Sequence, residues 1–260
     1  MIKNLRGRNL SYKLSCDGYD LSRKLDGMLV GPFGRHYAKK HCRVAEFPFA
    51  EEFISKCIIN RKSNKPELNI KEEFCDKYEV GYFETKKHNC FDSDYILFNE
   101  EQLAFWTSVN VVLWGLKFMV VPSRNWKGEI NEIGFRLLNR EKVNNVFKWL
   151  FMFGQQATFG LHLCDKNKEL LLVEGFQDMV AFGESGQSNV VGLGSLDITE
   201  AHKAQLQTDD YVICSDMDQA GMSSRKDQQR YCFYKPEGKD PYDVFVKNGK
   251  VEPVYVDTNS

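Results

Sequence analysis

Short apolar strands alternate with helix-like stretches in the last third of the chain, and this alternation restricts the fold more than any other feature of the sequence. The apolar runs lie at Leu170–Val173, Asn189–Leu193 and Tyr211–Cys214. Helical patterns run between them from Phe176 to Gly183 and from the N-cap residue Thr199 to about Gln207. Buried strands that alternate with helices form βαβ units around a parallel sheet. We therefore predict an α/β domain whose parallel sheet is flanked by helices.

Carboxylates stand where elements of this domain end. They are Glu174, Asp178, Asp216, Asp218, Asp240 and Asp243. Ligands of open α/β sheets gather at the carboxyl ends of the strands, so Glu174 and Asp216 are expected to share one edge of the sheet. Carboxylates that converge repel one another unless cations lie among them, and oxygen ligands suit Mg²⁺ or Mn²⁺. The pattern predicts a divalent-metal site, with exposed acids that only cap helices as the alternative.

The charge of the chain is divided unevenly. Residues 1–150 hold 25 lysines and arginines and 19 acidic residues, a net charge of +6, whereas residues 151–260 hold 10 and 17, a net charge of −7. A basic part favours contact with phosphates, and an acidic part favours metal binding. Residues 1–43 interleave ten basic residues with aromatic ones. This segment is either a surface for single-stranded nucleic acid or a solvated basic face with buried rings.

Composition excludes several other classes of protein. Apolar residues make up 42% of the 260 residues and charged residues 27%, as in ordinary globular proteins and unlike fibrous or disordered chains. No apolar run looks membrane-spanning and no secretory signal follows Met1, so we expect a cytoplasmic protein with no membrane partner.

Zinc is not expected as a cofactor. None of the eight cysteines forms a C-x-x-C pair, and structural zinc sites usually bring their ligands in such close pairs. His36, His41 and Cys42 are near enough in sequence to be ligands and form the lesser alternative. We interpret the cysteines as small buried side chains of a reducing compartment.

The upstream part has a mixed pattern. An apolar stripe predicts a helix over 48–59, followed by a polar connection at 61–66 and a short helix from Asn69. Strands are predicted at 109–113, 118–121 and 129–138. The chain thus combines a basic α+β subdomain with the α/β domain, and we place their boundary near residues 164–168.

Three motifs of the second part resemble a known fold family. Residues 171–178 read L-L-V-E-G-F-Q-D, residues 216–221 read D-M-D-Q-A-G and residues 239–243 read K-D-P-Y-D. They resemble the E-G-x-x-D and D-x-D-x-A-G motifs of the TOPRIM fold and the K-D-P-x-D element of primases. Topoisomerases, nucleases and a recombination mediator share this fold, so the fold alone does not select the activity.

The segment that precedes these motifs indicates which of these activities the chain resembles. Residues 121–136 are similar to the primase pattern P-x-R, turn, G-F-x-x-R, and residues 148–150, 159–161 and 78–82 resemble further primase elements in the same order. The chain therefore resembles the catalytic core of bacterial and phage (DnaG-like) primases, without a recognisable N-terminal zinc ribbon. The short format resembles that of a phage- or plasmid-encoded enzyme, which would act in the host cytoplasm.

This resemblance implies three parts: residues 1–45, a basic segment of unknown role; residues 46–165, the primase-type α+β subdomain; and residues 166–260, the TOPRIM catalytic domain. It also implies catalytic residues, which are Glu174, Asp178, Asp216, Asp218 and Asp240. The implied metal ligands are Glu174, Asp216, Asp218, Asp240 and Asp243, with Asp178 a further ligand or a support for the others.

The implied reaction is template-directed nucleotidyl transfer. The enzyme would make short RNA primers on single-stranded DNA from ribonucleoside triphosphates with Mg²⁺ or Mn²⁺, and a replicative helicase would be supplied in trans. Arg124, Arg136 and Lys148 match basic positions that line the template and nucleotide path of primases. Plain salt-bridged surface residues remain the alternative for Arg136 and Lys148.

Two other functions stay open from the sequence. A TOPRIM nuclease would use the same acids to place a water in place of a 3′-hydroxyl. A non-catalytic replication or recombination factor would bind nucleic acid on an inactivated primase scaffold. Incorporation of labelled ribonucleotide distinguishes the three.

Overall fold

The computed structural model of the chain describes residues 15–16, 19–20, 50–68, 70–85, 115–140, 148–151, 156–195, 198–214, 230–234 and 240–257. The chain divides into two compact units. The first unit comprises residues 1–122 and 132–155, and the second unit comprises residues 123–131 and 156–260. The strand predicted at 109–113 and most of the basic segment 1–45 lie outside the described residues.

The described residues of the first unit form two helices and antiparallel strands. The elements named here are β1 (Ser15–Cys16), β2 (Tyr19–Asp20), α1 (Ala50–Asn64), α2 (Glu72–Cys75), β3 (Gly81–Glu84), β4 (Lys117–Arg124), β5 (Ile130–Leu137) and β6 (Trp149–Phe151). β1 and β2 pair with each other, and the four-stranded sheet has the order β3-β4-β5-β6. The ends of β4 and β5 nearest their turn belong to the second unit.

Helix α1 packs on β3 through an aromatic core. Rings of Phe53, Phe83, Phe118 and Phe135 lie with their centroids 5.6 to 6.4 Å apart, most of them tilted or edge-on, which is the favoured arrangement of aromatic pairs. The approach is close at Gly81, where a Cβ atom would lie 2.5 Å from Cβ of Cys57. A glycine is therefore required where the helix meets the strand.

Helix α1 is longer than predicted. It runs to Asn64, through the residues that the sequence assigned to a polar connection. Arg61 explains the difference, because its side chain is buried and its guanidinium pairs with Asp76. This tertiary contact extends the helix by a turn that the apolar stripe alone does not indicate. The helix expected from Asn69 is shorter than predicted and covers only Glu72–Cys75.

The second unit is the predicted α/β domain. Its elements are β7 (Leu170–Val173), α3 (Phe176–Glu184), β8 (Val190–Gly192), α4 (Glu200–Leu206), β9 (Tyr211–Cys214), β10 (Arg230–Tyr234), α5 (Pro241–Asn248) and β11 (Pro253–Asp257). The sheet has the order β11-β10-β9-β7-β8, with β7 to β10 parallel and β11 antiparallel at one edge. The four residues of the inner strand β7 are all buried, as a continuous apolar run predicts.

Residues 156–163 pack with the second unit, whereas the sequence placed them with the subdomain before it. Phe159 and Gly192 exchange backbone hydrogen bonds of 2.8 and 3.0 Å, which covers the edge of β8. Leu161 is fully buried in the core with Leu170 and Val191. The longer segment of this unit, residues 156–260, thus begins ten residues before the predicted start of the TOPRIM domain at residue 166.

The tip of the β4–β5 hairpin is anchored to helix α4 within the same unit. Trp126 donates from Nε1 to the carbonyl oxygen of Leu206 at 2.9 Å, and Asn131 donates from Nδ2 to Oε1 of Gln205 at 2.8 Å. The ring of Trp126 also packs against the apolar core that contains Leu206. None of the helices in the described ranges has the length and apolar character needed to cross a membrane.

Candidate active site

The parallel strands that precede the predicted acids end level with one another. Val173, the last residue of β7, pairs with Cys214, the last residue of β9, and with Gly192, the last residue of β8. Glu174 follows Val173 directly and is partly exposed at this edge. Asp216 and Asp218 follow Cys214 and lie outside the described residues. The register supports the expectation that Glu174 and Asp216 share one edge.

The backbone around Glu174 is held on both sides. The carbonyl oxygen of Val173 accepts a hydrogen bond from the N–H of Leu193 at 2.9 Å, and the N–H of Gly175 donates to Oδ2 of Asp178 at 3.0 Å. The carbonyl oxygen of Gly175 also lies against Gly192, where a Cβ atom would approach it to 2.8 Å. Glu174 therefore projects from a main chain whose two neighbouring peptides are fixed.

Asp178 supports this junction from the first turn of α3. Its carboxyl group is buried, and Gly175 is the N-cap residue of the helix. A carboxylate that accepts from the N-cap N–H satisfies a donor and suits the positive end of the helix dipole. Of the two roles expected for Asp178, this contact accounts for the supporting one, and the ligand role stays a prediction.

Asp240 and Asp243 lie at the start of α5. Asp240 is the N-cap residue and accepts through Oδ1 from the N–H of Asp243 at 2.9 Å, while Asp243 itself is exposed. Pro241 occupies the first helical position, where its missing N–H costs nothing. One oxygen of Asp240 is thus used in capping, and the exposed carboxylate of Asp243 faces solvent.

Helices α3 and α5 pack against each other with their carboxyl ends together. The N–H of Val251, just beyond α5, donates to Oγ of Ser185, the residue that ends α3, at 2.9 Å. This hydrogen bond joins the carboxyl ends of the two helices. Asp178 and Asp240 each lie at the amino-terminal start of one of these two helices.

Within the described ranges, no three His, Cys, Asp or Glu side chains come close enough to hold a metal ion. Glu174, Asp240 and Asp243 thus do not complete a site by themselves. The remaining predicted ligands, Asp216 and Asp218, are not among the described residues. The predicted donors are all carboxylates, which is the chemistry that Mg²⁺ and Mn²⁺ require.

The three predicted basic residues differ in their surroundings. Arg124 is buried at the hairpin of the second unit and donates from Nη1 to the carbonyl oxygen of Gly128 at 2.7 Å. Arg136, on β5 of the first unit, lies opposite Trp149 of β6 with its Cζ 5.9 Å from the ring centre. Lys148, next to Trp149, is exposed. Arg136 and Lys148 thus accompany an aromatic ring on two paired strands.

Two residues that the sequence interpretation did not single out contribute to the edge that bears Glu174. Leu193 holds the carbonyl group of Val173, and His202 in α4 holds the carbonyl group of Leu193 at 3.1 Å. The only signal in the sequence is the spacing Thr199-x-x-His202, in which the third residue after a helix cap can reach back to the cap.

The chain is similar to known proteins in both sequence and fold. A family model described as Toprim-like matches residues 171–244. The DNA primase of Rickettsia prowazekii is 28% identical over 151 residues, which cover 50% of this chain and 26% of that protein. The DNA primase of Halalkalibacterium halodurans is 30% identical over 149 residues, 50% of this chain and 25% of that protein. The chain thus spans about a quarter of the length of these curated relatives.

Two solved structures have a related fold. A DNA primase domain from Pseudomonas aeruginosa matches with a TM-score of 0.55 and 21% identity, covering 80% of this chain and 79% of that one. The RNA polymerase domain of Mycobacterium tuberculosis primase DnaG, in complex with double-stranded DNA, matches with a TM-score of 0.52 and 17% identity, covering 79% and 76%. The chain has a Toprim-like domain within the fold of a DnaG-like primase catalytic core, which confirms the predicted resemblance.

Proposed function

We propose that this chain is the catalytic core of a DNA primase, a nucleotidyltransferase that makes short RNA primers on single-stranded DNA from ribonucleoside triphosphates. One observation carries the proposal. The similarity to curated DNA primases covers half of the chain, whereas the Toprim-like match covers only residues 171–244, so the similarity extends beyond that domain. A nuclease that shared only the TOPRIM fold would not account for this extension.

Glu174, Asp216, Asp218, Asp240 and Asp243 would hold Mg²⁺ or Mn²⁺ at the carboxyl edge of the parallel sheet. A bound divalent cation supplies charge neutralisation for a triphosphate and lowers the pKa of an attacking hydroxyl. The chain contributes the fixed geometry. Because the peptides on both sides of Glu174 are hydrogen-bonded, the backbone from which its side chain projects is held in place before substrate binds.

The basic first part would hold the template. Residues 1–150 carry a net charge of +6, and Arg136 of β5 lies over the ring of Trp149 of β6, with the exposed Lys148 directly before that strand. Basic groups attract phosphates, and an aromatic ring offers a surface on which a base can stack. Arg124 has its Nη1 committed to the hairpin turn, so we assign it a part in shaping the turn next to the nucleotide path.

The division of labour follows from the three predicted parts. Residues 46–165 would bind template, residues 166–260 would carry the carboxylates, and residues 1–45 would add basic contacts to DNA. A replicative helicase would act in trans. These assignments rest on the charge asymmetry of the chain and on its likeness to primases.

Synthesis on single-stranded DNA tests the proposal. The full chain is incubated with mixed-sequence DNA, all four ribonucleotides and Mg²⁺ or Mn²⁺, and labelled products are separated by size. We expect short metal-dependent RNA from the wild type and from Asp209→Ala, which removes an exposed carboxylate elsewhere in the second unit. We expect none from Asp216→Ala. Degraded template without RNA would instead support a nuclease, and neither product would support a binding factor.

A further inference from the structure

We propose that His202 is a positioning residue for Glu174 and that it acts through the backbone of Leu193. The inference rests on the proposed function in one respect, namely that Glu174 is a metal-binding carboxylate. His202 lies in the first turn of α4 and its side chain is fully buried. It belongs to the segment that follows β8, at the same edge of the sheet as Glu174.

The partners of the imidazole determine which nitrogen carries the proton. The backbone N–H of Thr199 lies 3.1 Å from Nδ1 of His202, and Nε2 lies 3.1 Å from the carbonyl oxygen of Leu193. A backbone N–H only donates and a carbonyl oxygen only accepts. Nδ1 is therefore the acceptor, and Nε2 carries the proton and donates it to Leu193. One ring thus ties the beginning of the 193–199 segment to its end.

Leu193 passes this restraint to Glu174. Its carbonyl group is held by His202, and its own N–H donates to the carbonyl oxygen of Val173 at 2.9 Å. The peptide bond that joins Val173 to Glu174 is planar, so the direction of the Val173 carbonyl sets the direction of the Glu174 backbone. The hydrogen bonds form a continuous path from the imidazole to the peptide that bears the carboxylate.

The restraint depends on His202 because β8 is short. The strand ends at Gly192, and Leu193 lies one residue beyond it in a buried position. Without the imidazole, the buried carbonyl group of Leu193 loses its partner, which is costly enough to move the segment. Gly192 lies against the carbonyl oxygen of Gly175. A shift of 192–193 therefore moves the Val173–Glu174 peptide, which Leu193 holds, and also the Gly175–Phe176 peptide one residue beyond Glu174.

Two amide variants separate this role from a general effect on folding. In His202→Gln the side chain is long enough to accept from Thr199 and to donate to Leu193. In His202→Asn it reaches only Thr199, as the equally short Asp178 reaches Gly175 in α3. Both variants are polar and keep the helix cap, so they differ in the bond to Leu193. Thr199→Ala is the third variant. It removes the hydroxyl that accepts from the His202 N–H and lies 3.1 Å from Nδ1, but it keeps the backbone N–H that donates to Nδ1 and both partners of the Leu193 bond.

The readout is Mn²⁺ binding to the full chain, measured from the electron paramagnetic resonance signal of free Mn²⁺, together with kcat and KM for RNA synthesis. We expect His202→Asn to bind Mn²⁺ about 10- to 100-fold more weakly, the range typical for residues that orient metal ligands, with a fall in kcat. We expect His202→Gln to stay close to the wild type, and Thr199→Ala to lose thermal stability but not Mn²⁺ affinity.

The proposal is overturned if the Asn and Gln variants, both folded by circular dichroism, bind Mn²⁺ equally, or if Thr199→Ala weakens Mn²⁺ binding as much as His202→Asn. It is also overturned if the wild type does not bind Mn²⁺. Wild-type protein that binds Mn²⁺ but makes no RNA would contradict the proposed function alone. In that case the difference between the two amide variants still decides the role of His202.

Discussion

Oδ2 of Asp178 accepts a hydrogen bond from the N–H of Gly175 at 3.0 Å, and a Cβ atom added to Gly175 would lie 2.8 Å from that same oxygen. A side chain at position 175 would therefore have to displace the Asp178 carboxylate that accepts this hydrogen bond. The spacing E-G-x-x-D follows from helix geometry, because Gly175 is the N-cap and Asp178 is the third helical residue, which can reach back to it. Glu174 owes its fixed backbone in part to this pair.

Replacement of Asp178 by alanine tests the support that it gives. The N–H of Gly175 would lose its partner, so we expect the free energy of unfolding to fall by about 1 kcal/mol, as for other lost caps. Asp178→Asn retains an acceptor oxygen and should keep most of the stability. Urea denaturation of both variants measures the difference, and equal stability of Asp178→Ala and wild type would contradict the supporting role.

Gly192→Ala probes the close approach behind Glu174. The added methyl group would meet the carbonyl oxygen of Gly175 at 2.8 Å, and because that atom is backbone it cannot rotate away. We expect a loss of roughly 1–3 kcal/mol in the free energy of unfolding, as for other overpacked sites, and weaker Mn²⁺ binding. Ser188→Ala, an exposed change before the same strand, serves as the control. Wild-type stability of Gly192→Ala would contradict a tight contact between β8 and the start of α3.

Glu174→Gln removes a predicted metal ligand and changes little else. The amide keeps the size of the side chain, so we expect unchanged thermal stability without metal. RNA synthesis should fall by about a thousandfold, since metal-based charge stabilisation is worth several kcal/mol of barrier. Thermal unfolding with and without Mn²⁺, beside the synthesis assay, makes the comparison. Full synthesis by Glu174→Gln would remove Glu174 from the proposed metal site.

Arg136 is expected to contact a phosphate of the template. Arg136→Gln should weaken binding of single-stranded DNA. It should also reduce the slope of log affinity against log salt concentration by about the amount that one phosphate contact contributes. Lys65→Gln makes the same change in charge on the exposed loop after α1 and is the matched control. Fluorescence anisotropy over a salt series measures both slopes. A slope that changes equally in the two variants would indicate only a net-charge effect.

Asp76 predicts a pH dependence of stability in the first unit. Hydrogen bonds from Lys62 and Arg61 hold the pKa of this carboxyl group below its ordinary value. The folded state therefore binds its proton less readily than the unfolded state, whose pKa is about 3.9. The stabilisation is complete above the unfolded pKa and is lost as the pH falls through the folded pKa.

We accordingly expect Asp76→Asn to lower the urea midpoint at pH 7. The midpoint of this variant should then fall less than that of the wild type between about pH 5 and about pH 3, a range that brackets the ordinary pKa of an aspartate. The buried guanidinium of Arg61 adds to the loss at neutral pH, because it would face a neutral amide. Glu67→Gln, an exposed change nearby in sequence, provides the comparison. If the urea midpoints of Asp76→Asn and wild type fell equally between about pH 5 and about pH 3, Asp76 would not be the source of this pH dependence.

The amino-acid pattern is enough to specify the architecture of the second unit and the place of Glu174 directly after one of its parallel strands. Four buried residues in a row at Leu170–Val173 specify an inner parallel strand, since both faces of such a strand are covered. A carboxylate directly after that strand must lie at the carboxyl edge of the sheet. Thr199 marks a helix start by its capping chemistry, and α4 begins directly after it, as predicted.

Tertiary structure alone decided the contacts between residues that are distant in the chain. The register of β7 against β8 brings the N–H of Leu193 to Val173, and burial brings His202 to Leu193. Local patterns carry no information on register or on which buried polar groups meet. The same reason explains why Arg61 extends α1 by pairing with Asp76, and why Phe159 joins the sheet through Gly192. Each depends on a partner that only the folded chain brings within hydrogen-bonding distance.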